Sequence, residues 1–140
     1  MQKLNCVLLI DDDQTTNYLN QLLLRRLHVT EHVLVAGNGR EALALLAEHC
    51  GEAGAGHCPA LILLDVNMPV MNGFEFLEAY AELPAAQRQA AVVVMLTTSL
   101  HPQDLERARQ LEVAGFLSKP LTRKDLSEIL RTHFHRELEE

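Results

Sequence analysis

Five polar residues sit where apolar runs give out. Asp11 and Asp12 follow Cys6–Ile10, Asp65 closes the run from Ala60, Thr97 closes the run from Ala91, and Lys119 follows Gly115–Ser118. Three carboxylates brought within a few ångströms repel one another, so a multivalent cation or a lysine must offset them. All-oxygen donors suit a hard ion. One or two carboxylates completed by water and a phosphate oxygen is the habit of Mg²⁺, and the cluster is too small to cage Ca²⁺ alone. Lys119 and Thr97 add an ammonium and a hydroxyl, both able to contact a phosphoryl group. The chemistry such a set supports is a phosphoryl group carried on a carboxylate.

These residues act together only if the fold gathers them. Cys6–Ile10 is an unbroken apolar run, as in a strand buried on both faces. Over Gln14–His28, the residues Tyr18, Leu19, Leu22, Leu23 and Leu27 recur at helical spacing, with Asn17, Gln21, Arg25 and Arg26 between them, which predicts an amphipathic helix. His32–Ala36 reads as a second strand, and Gly37-Asn38-Gly39 as the turn into a helix through Glu41, Ala42, Leu45 and Leu46. Further strands are predicted at Ala60–Asp65, Ala91–Thr97 and Gly115–Ser118. Helices are predicted over Phe74–Leu83, from Pro102 at a first helical position, and from Thr122 toward His133, where Asp125 completes a capping box with Asp in place of Glu. Five strand-helix pairs in strict alternation indicate an α/β protein, a parallel sheet covered on both faces. Ligands of such sheets bind outside the carboxyl ends of the strands, where the strand order reverses. Every strand end on that edge except the second carries one of the five polar residues.

A chain of 140 residues makes one domain, expected to span 1–140. Twelve Lys and Arg against 19 Asp and Glu give a net charge of −7, a surface that repels the phosphates of nucleic acid. Apolar runs such as Ala60–Leu64 and Ala90–Leu96 fall far short of the roughly 20 residues that span a bilayer. Met1–Asn5 lacks the zones of a signal peptide, and three cysteines cannot all pair within the chain, so a reducing cytoplasm is expected.

Asp11-Asp12, Asp65 with Met68-Pro69 and Met71-Asn72-Gly73, Thr97, and Lys119-Pro120, in that order and on those strand ends, together resemble the receiver domain of bacterial response regulators. The resemblance runs from about Asn5 to Thr132. It implies a flavodoxin-like, doubly wound, five-stranded parallel sheet in the order 2-1-3-4-5 with five helices, a core over about residues 5–132 and a short C-terminal helical extension. It implies that Asp65 is the phosphoacceptor and that Mg²⁺ is the cofactor. Asp12 would bind the ion directly, Asp11 through water, and Asn67 through its backbone carbonyl, with Asp65 as a further ligand. Lys119 and Thr97 would contact the phosphoryl group, and Thr97 and Phe116 would move on phosphorylation. The implied donor is a histidine kinase or a histidine phosphotransfer protein, and the output is either contact with a downstream protein or passage of the phosphoryl group to another histidine protein, with neither nucleic acid nor membrane as partner. After the last helix only His135–Glu140 remain, so a stand-alone receiver is expected rather than an enzyme, apart from its own phosphorylation and dephosphorylation.

Some residues have plainer readings. Asp13 lies one residue past the matched pair and suits the cap of the first helix. Thr98 is bulkier than the residue receivers usually carry next to the threonine, which would narrow access to Asp65. Phe116 lacks the hydroxyl that many receivers present there. Between the second helix and third strand, His49-Cys50 and His57-Cys58 offer ligand types that zinc accepts, but the spacing matches no common zinc site and reads as a flexible insertion. Cys6 reads as a small buried hydrophobe. The rival function is a Mg²⁺-dependent aspartyl phosphatase of haloacid dehalogenase type, which needs a second Asp two residues after the nucleophile as general acid. Asn67 occupies that position. A flavin or nucleotide carrier would need a phosphate loop or an aromatic cradle, and neither motif is present.

Overall fold

The computed structural model describes residues 3–50, 58–84, 91–98, 101–111 and 113–138. Its strands are β1 (Val7–Ile10), β2 (Val33–Ala36), β3 (Leu61–Asp65), β4 (Val92–Thr97) and β5 (Gly115–Ser118). Its helices are α1 (Gln14–Arg26), α2 (Gly39–His49), α3 (Gly73–Ala81), α4 (Pro102–Gln110) and α5 (Arg123–Ile129), the last continued by a π-helical turn, Leu130–Phe134. All strand pairs are parallel, and the order is β2-β1-β3-β4-β5, the flavodoxin-like order expected from the resemblance.

The period of two along buried strands sorts their side chains into two cores. Leu8, Ile10, Ile62, Leu64 and Met95 point to one face and pack with Leu46 of α2, Phe76 of α3 and Ala108 of α4. Val7, Leu9, Leu61, Leu63, Val94 and Leu96 point to the other and pack with Leu24 of α1 and Leu126 and Ile129 of α5. Arg107 of α4 ties that helix to α3, pairing with Glu78 at 2.9 Å and lying 4.6 Å over the Phe74 ring.

Boundaries differ from the periodicity reading by a residue or two. The first helix ends at Arg26 rather than His28, because His28 takes a left-handed conformation (φ 57°) and Val29 donates its N–H back to the Leu24 carbonyl. The larger departure is the face that α1 presents. An amphipathic helix ordinarily turns its apolar stripe inward, yet Tyr18 and Leu19 are 60% and 56% exposed, while Asn17, Asn20 and Leu24 are buried. Asn17 belongs inside because its amide donates to the Asp11 carbonyl over 2.8 Å, which satisfies half of a buried polar side chain.

Local signals formed as expected elsewhere. Asp13 caps α1, accepting from the N–H groups of Thr15 and Thr16. The Thr16 hydroxyl first, then those two N–H groups, hold its carboxyl below the usual range. Pro102 opens α4, and Thr122 with Asp125 forms the capping box of α5. Cys6 is fully buried, and burial pushes its thiol up to about 11. The cysteines that flank the insertion after α2 are paired, which the cysteine count did not foresee. Cys50 and Cys58 are joined in a disulfide, so their sulfurs are not free thiolates for zinc; His57 lies outside the described residues. No helix among the described residues is long and apolar enough to cross a membrane.

Candidate functional site

Strand register brings the predicted residues to one edge. Ile10 is level with Leu64, so Asp11 and Asp65, the next residues, leave the sheet side by side. Asp65 is level with Leu96 of β4, and Thr97, the residue after it, is level with Ser118 of β5. Lys119 comes next and donates its backbone N–H to the Thr97 carbonyl over 2.7 Å. The peptide bond that follows, Lys119–Pro120, is cis.

The carboxylates of Asp11, Asp12 and Asp65 offer oxygens all within 4.8 Å of one another; Asp11 and Asp65 are buried and Asp12 is exposed. The Lys119 ammonium lies 2.6 Å from Asp11 Oδ2 and 3.3 Å from Asp65 Oδ1. One ammonium against three carboxylates leaves two negative charges uncompensated. Burial, then the charge of Asp11, raise the Asp65 carboxyl above its ordinary 3.8, against the opposing pull of Lys119 and a hydrogen bond from the Asn67 N–H. Burial pulls the Lys119 ammonium downward, but the hydrogen bonds and charges of Asp11 and Asp65 outweigh it and leave the group above its ordinary 10.5. A partly buried, oxygen-only cluster with surplus negative charge fits a hard divalent cation, and Mg²⁺ in particular where one side must stay open to water and phosphate.

The surrounding chain fixes these groups. Asp11 Oδ1 accepts the Asp13 N–H at 2.9 Å, and its carbonyl accepts Asn17 Nδ2, so both ends of Asp11 are held. Gly73 packs directly against the Asp65 backbone: a Cβ there would lie 2.5 Å from the Asp65 carbonyl oxygen. Asn17 and Gly73 are the supporting residues whose role sequence periodicity missed. Asn17 falls on the polar positions of its helix, and the signal for Gly73 lay only in the Met-Asn-Gly string of the resemblance.

Thr97 is buried at the end of β4, and Thr98 beside it is exposed; Ser99 lies outside the described residues. Phe116 is half-buried against the core on the α2-α3-α4 face. Asn67, where the phosphatase reading needed an acid, is exposed.

A model of the response regulator receiver domain matches residues 7–131. This chain belongs to the response regulator receiver domain family. Among solved structures, a two-component response regulator from Cytophaga hutchinsonii matches the receiver with a TM-score of 0.84 and 32% identity, over 96% of this chain and 100% of that one. The phosphorylated cyanobacterial phytochrome response regulator RcpA matches with a TM-score of 0.72 and 28% identity, over 96% and 98%. A probable methanogenesis regulatory protein, FilR2, of Methanothrix harundinacea is 34% identical over 121 residues, 86% of the receiver and 75% of FilR2. Receivers are generally not enzymes in the ordinary sense, and their membership of two-component systems makes a phosphodonor kinase the expected partner.

Proposed function

We propose that this receiver accepts a phosphoryl group on Asp65 from the phosphohistidine of a kinase or phosphotransfer protein and thereby changes the face it offers to a downstream protein. The carrying observation is the single ammonium of Lys119 shared between Asp11 and Asp65 beside the exposed Asp12. Asp11, Asp12, Asp65 and the Asn67 backbone carbonyl would hold Mg²⁺. When bound, the ion offsets the charge that the incoming phosphoryl oxygens add.

In this reading an Asp65 carboxylate oxygen attacks phosphorus, the P–N bond to the donor imidazole breaks, and its electron pair leaves with the nitrogen, which is then protonated. Lys119 and the Thr97 hydroxyl stabilise the equatorial oxygens of the transferring group. Water later attacks the same phosphorus and returns Asp65 to its free carboxylate.

The unexpected face of α1 supports a protein donor. Leu19, Leu22 and Leu23 of α1 line a groove of about 360 Å³ with Lys119, Pro120 and Leu121, so an apolar docking surface runs up to the lysine of the site. We place this exchange in the cytoplasm, where the ATP that charges such donors is held.

The experiment is intact-mass spectrometry after treatment with acetyl phosphate. One phosphoryl group is expected on wild type with Mg²⁺, and none on Asp65→Asn or in excess EDTA. Undiminished labelling in either condition would overturn the reading. Leu22→Asp should leave labelling by acetyl phosphate unchanged but slow transfer from a phosphohistidine protein at least tenfold.

A further inference from the structure

Two cysteines unused by the phosphoryl chemistry meet at the other end of the sheet. Cys50 caps the C-terminus of α2, with its N–H donating to the Leu46 carbonyl over 2.8 Å, and Cys58 lies three residues before β3. Their Cα atoms are 4.8 Å apart across a separation of 8 residues, within the roughly 4.4–6.8 Å that a native bridge requires. Cys50 is buried, whereas Cys58 is half-buried and keeps an approach from solvent. The third cysteine, Cys6, is 0% exposed, so the pair is the chain's responsive thiol chemistry.

We propose that Cys50 and Cys58 are a reversible redox-modification site, closed by a small-molecule disulfide of the glutathione class and reopened by a dithiol reductant. The Cys58 thiolate attacks the small disulfide and displaces one half of it as a thiolate, leaving a mixed disulfide. The Cys50 thiolate then attacks the Cys58 sulfur, and the second half departs. Two electrons and two protons leave the cysteine pair, and the small disulfide gains both as it becomes two thiols. The bridge ties the end of α2 to the entry of β3, and Leu61 at that entry is already about 13 Å along the strand from Asp65 at ~3.3 Å per residue, with Cys58 three residues farther back. Its effect is therefore on the stability of the α2–β3 join and not on the carboxylate cluster.

The test uses the full chain in glutathione buffers running from fully reduced to fully oxidised, quenched with N-ethylmaleimide in denaturant and weighed intact. Three adducts are expected at the reduced limit and one at the oxidised limit. The oxidised form should melt ~5–10 °C higher, the scale expected for closing a short loop in a domain of this size. Labelling by acetyl phosphate should agree within about twofold between the two forms, so failure here is separate from failure of the phosphoryl reading. Cys50→Ser and Cys58→Ser should each remove the melting response; if the buried Cys50→Ser variant does not fold, Cys58→Ser alone makes the comparison. Three adducts throughout the series, stable glutathione on Cys58, or a native bridge that dithiothreitol does not open would overturn the proposal. So would stoichiometric Zn²⁺ that shields both reduced cysteines from oxidation.

Discussion

Lys119 holds Asp11 by the shortest ion pair among the described residues, 2.6 Å with side chains 15% and 7% exposed, and stands farther, at 3.3 Å, from Asp65. The ammonium is thus spent mainly on Asp11, and the buried Asp65 carboxyl stays raised above 3.8. A carboxyl raised in the folded state costs stability when ionised, and that cost disappears as the pH falls through its folded value. In metal-free buffer, Asp65→Asn should therefore melt above wild type near neutral pH, with the gap closing on acidification toward the ordinary carboxylate range. Thermal unfolding in EDTA across that range measures it. A gap independent of pH would show that the gain is not electrostatic.

Thr97→Ala should separate chemistry from signal. The carboxylates and Lys119 remain, so the variant is expected to take phosphate at Asp65. The hydroxyl that would turn to the phosphoryl group is lost, so phosphorylation at Asp65 would no longer change the space open to Phe116. Burying a Phe is worth roughly 1.5–3 kcal/mol, enough to bias a two-state equilibrium without locking it. The face expected to respond is the fourth helix from Pro102 to Glu112, β5 and the start of α5 near Thr122, with Glu112 outside the described residues. Amide shifts with and without beryllofluoride report the response, which should shrink by more than half in the variant. Equal perturbation in both proteins would refute the coupling.

Gly73→Ala should disturb the site from behind. The added Cβ would meet the Asp65 carbonyl at 2.5 Å and Met95 Cε at 2.9 Å, and backbone cannot yield as a side-chain tip can. Overpacking of this kind costs about 1–3 kcal/mol. Urea unfolding should show that loss, together with slower labelling by acetyl phosphate, since Asp65 must shift with its own backbone.

Val70 sits five residues past Asp65 at φ 69° and 70% exposed, a left-handed conformation that a β-branched side chain adopts only under strain. Val70→Asn, a residue that tolerates this region, should stabilise the chain by about 1 kcal/mol. The unfolding midpoint should rise, and labelling at Asp65 should not change.

What the amino-acid order determined by itself is the edge where the chemistry lies. Buried parallel strands need unbroken apolar runs, so the acids, threonine and lysine that end those runs mark the strands' carboxyl ends before any fold is known. Helix starts followed the same local logic at Asp13, Pro102 and Thr122, because each depends on groups only a few residues apart. Tertiary structure decided what depends on partners distant in sequence. Helical spacing marks the leucines of α1 but not which neighbours cover them, and Asn17 is buried in their place because the Asp11 carbonyl awaits it. The count of cysteines left their pairing open, since a bridge needs two Cα atoms close together, and only the packing of α2 beside the entry to β3 sets Cys50 and Cys58 at that distance. Charge balance at the site is likewise a tertiary property: Lys119 reaches Asp11 across 108 positions of sequence because β1, β3, β4 and β5 end on one edge.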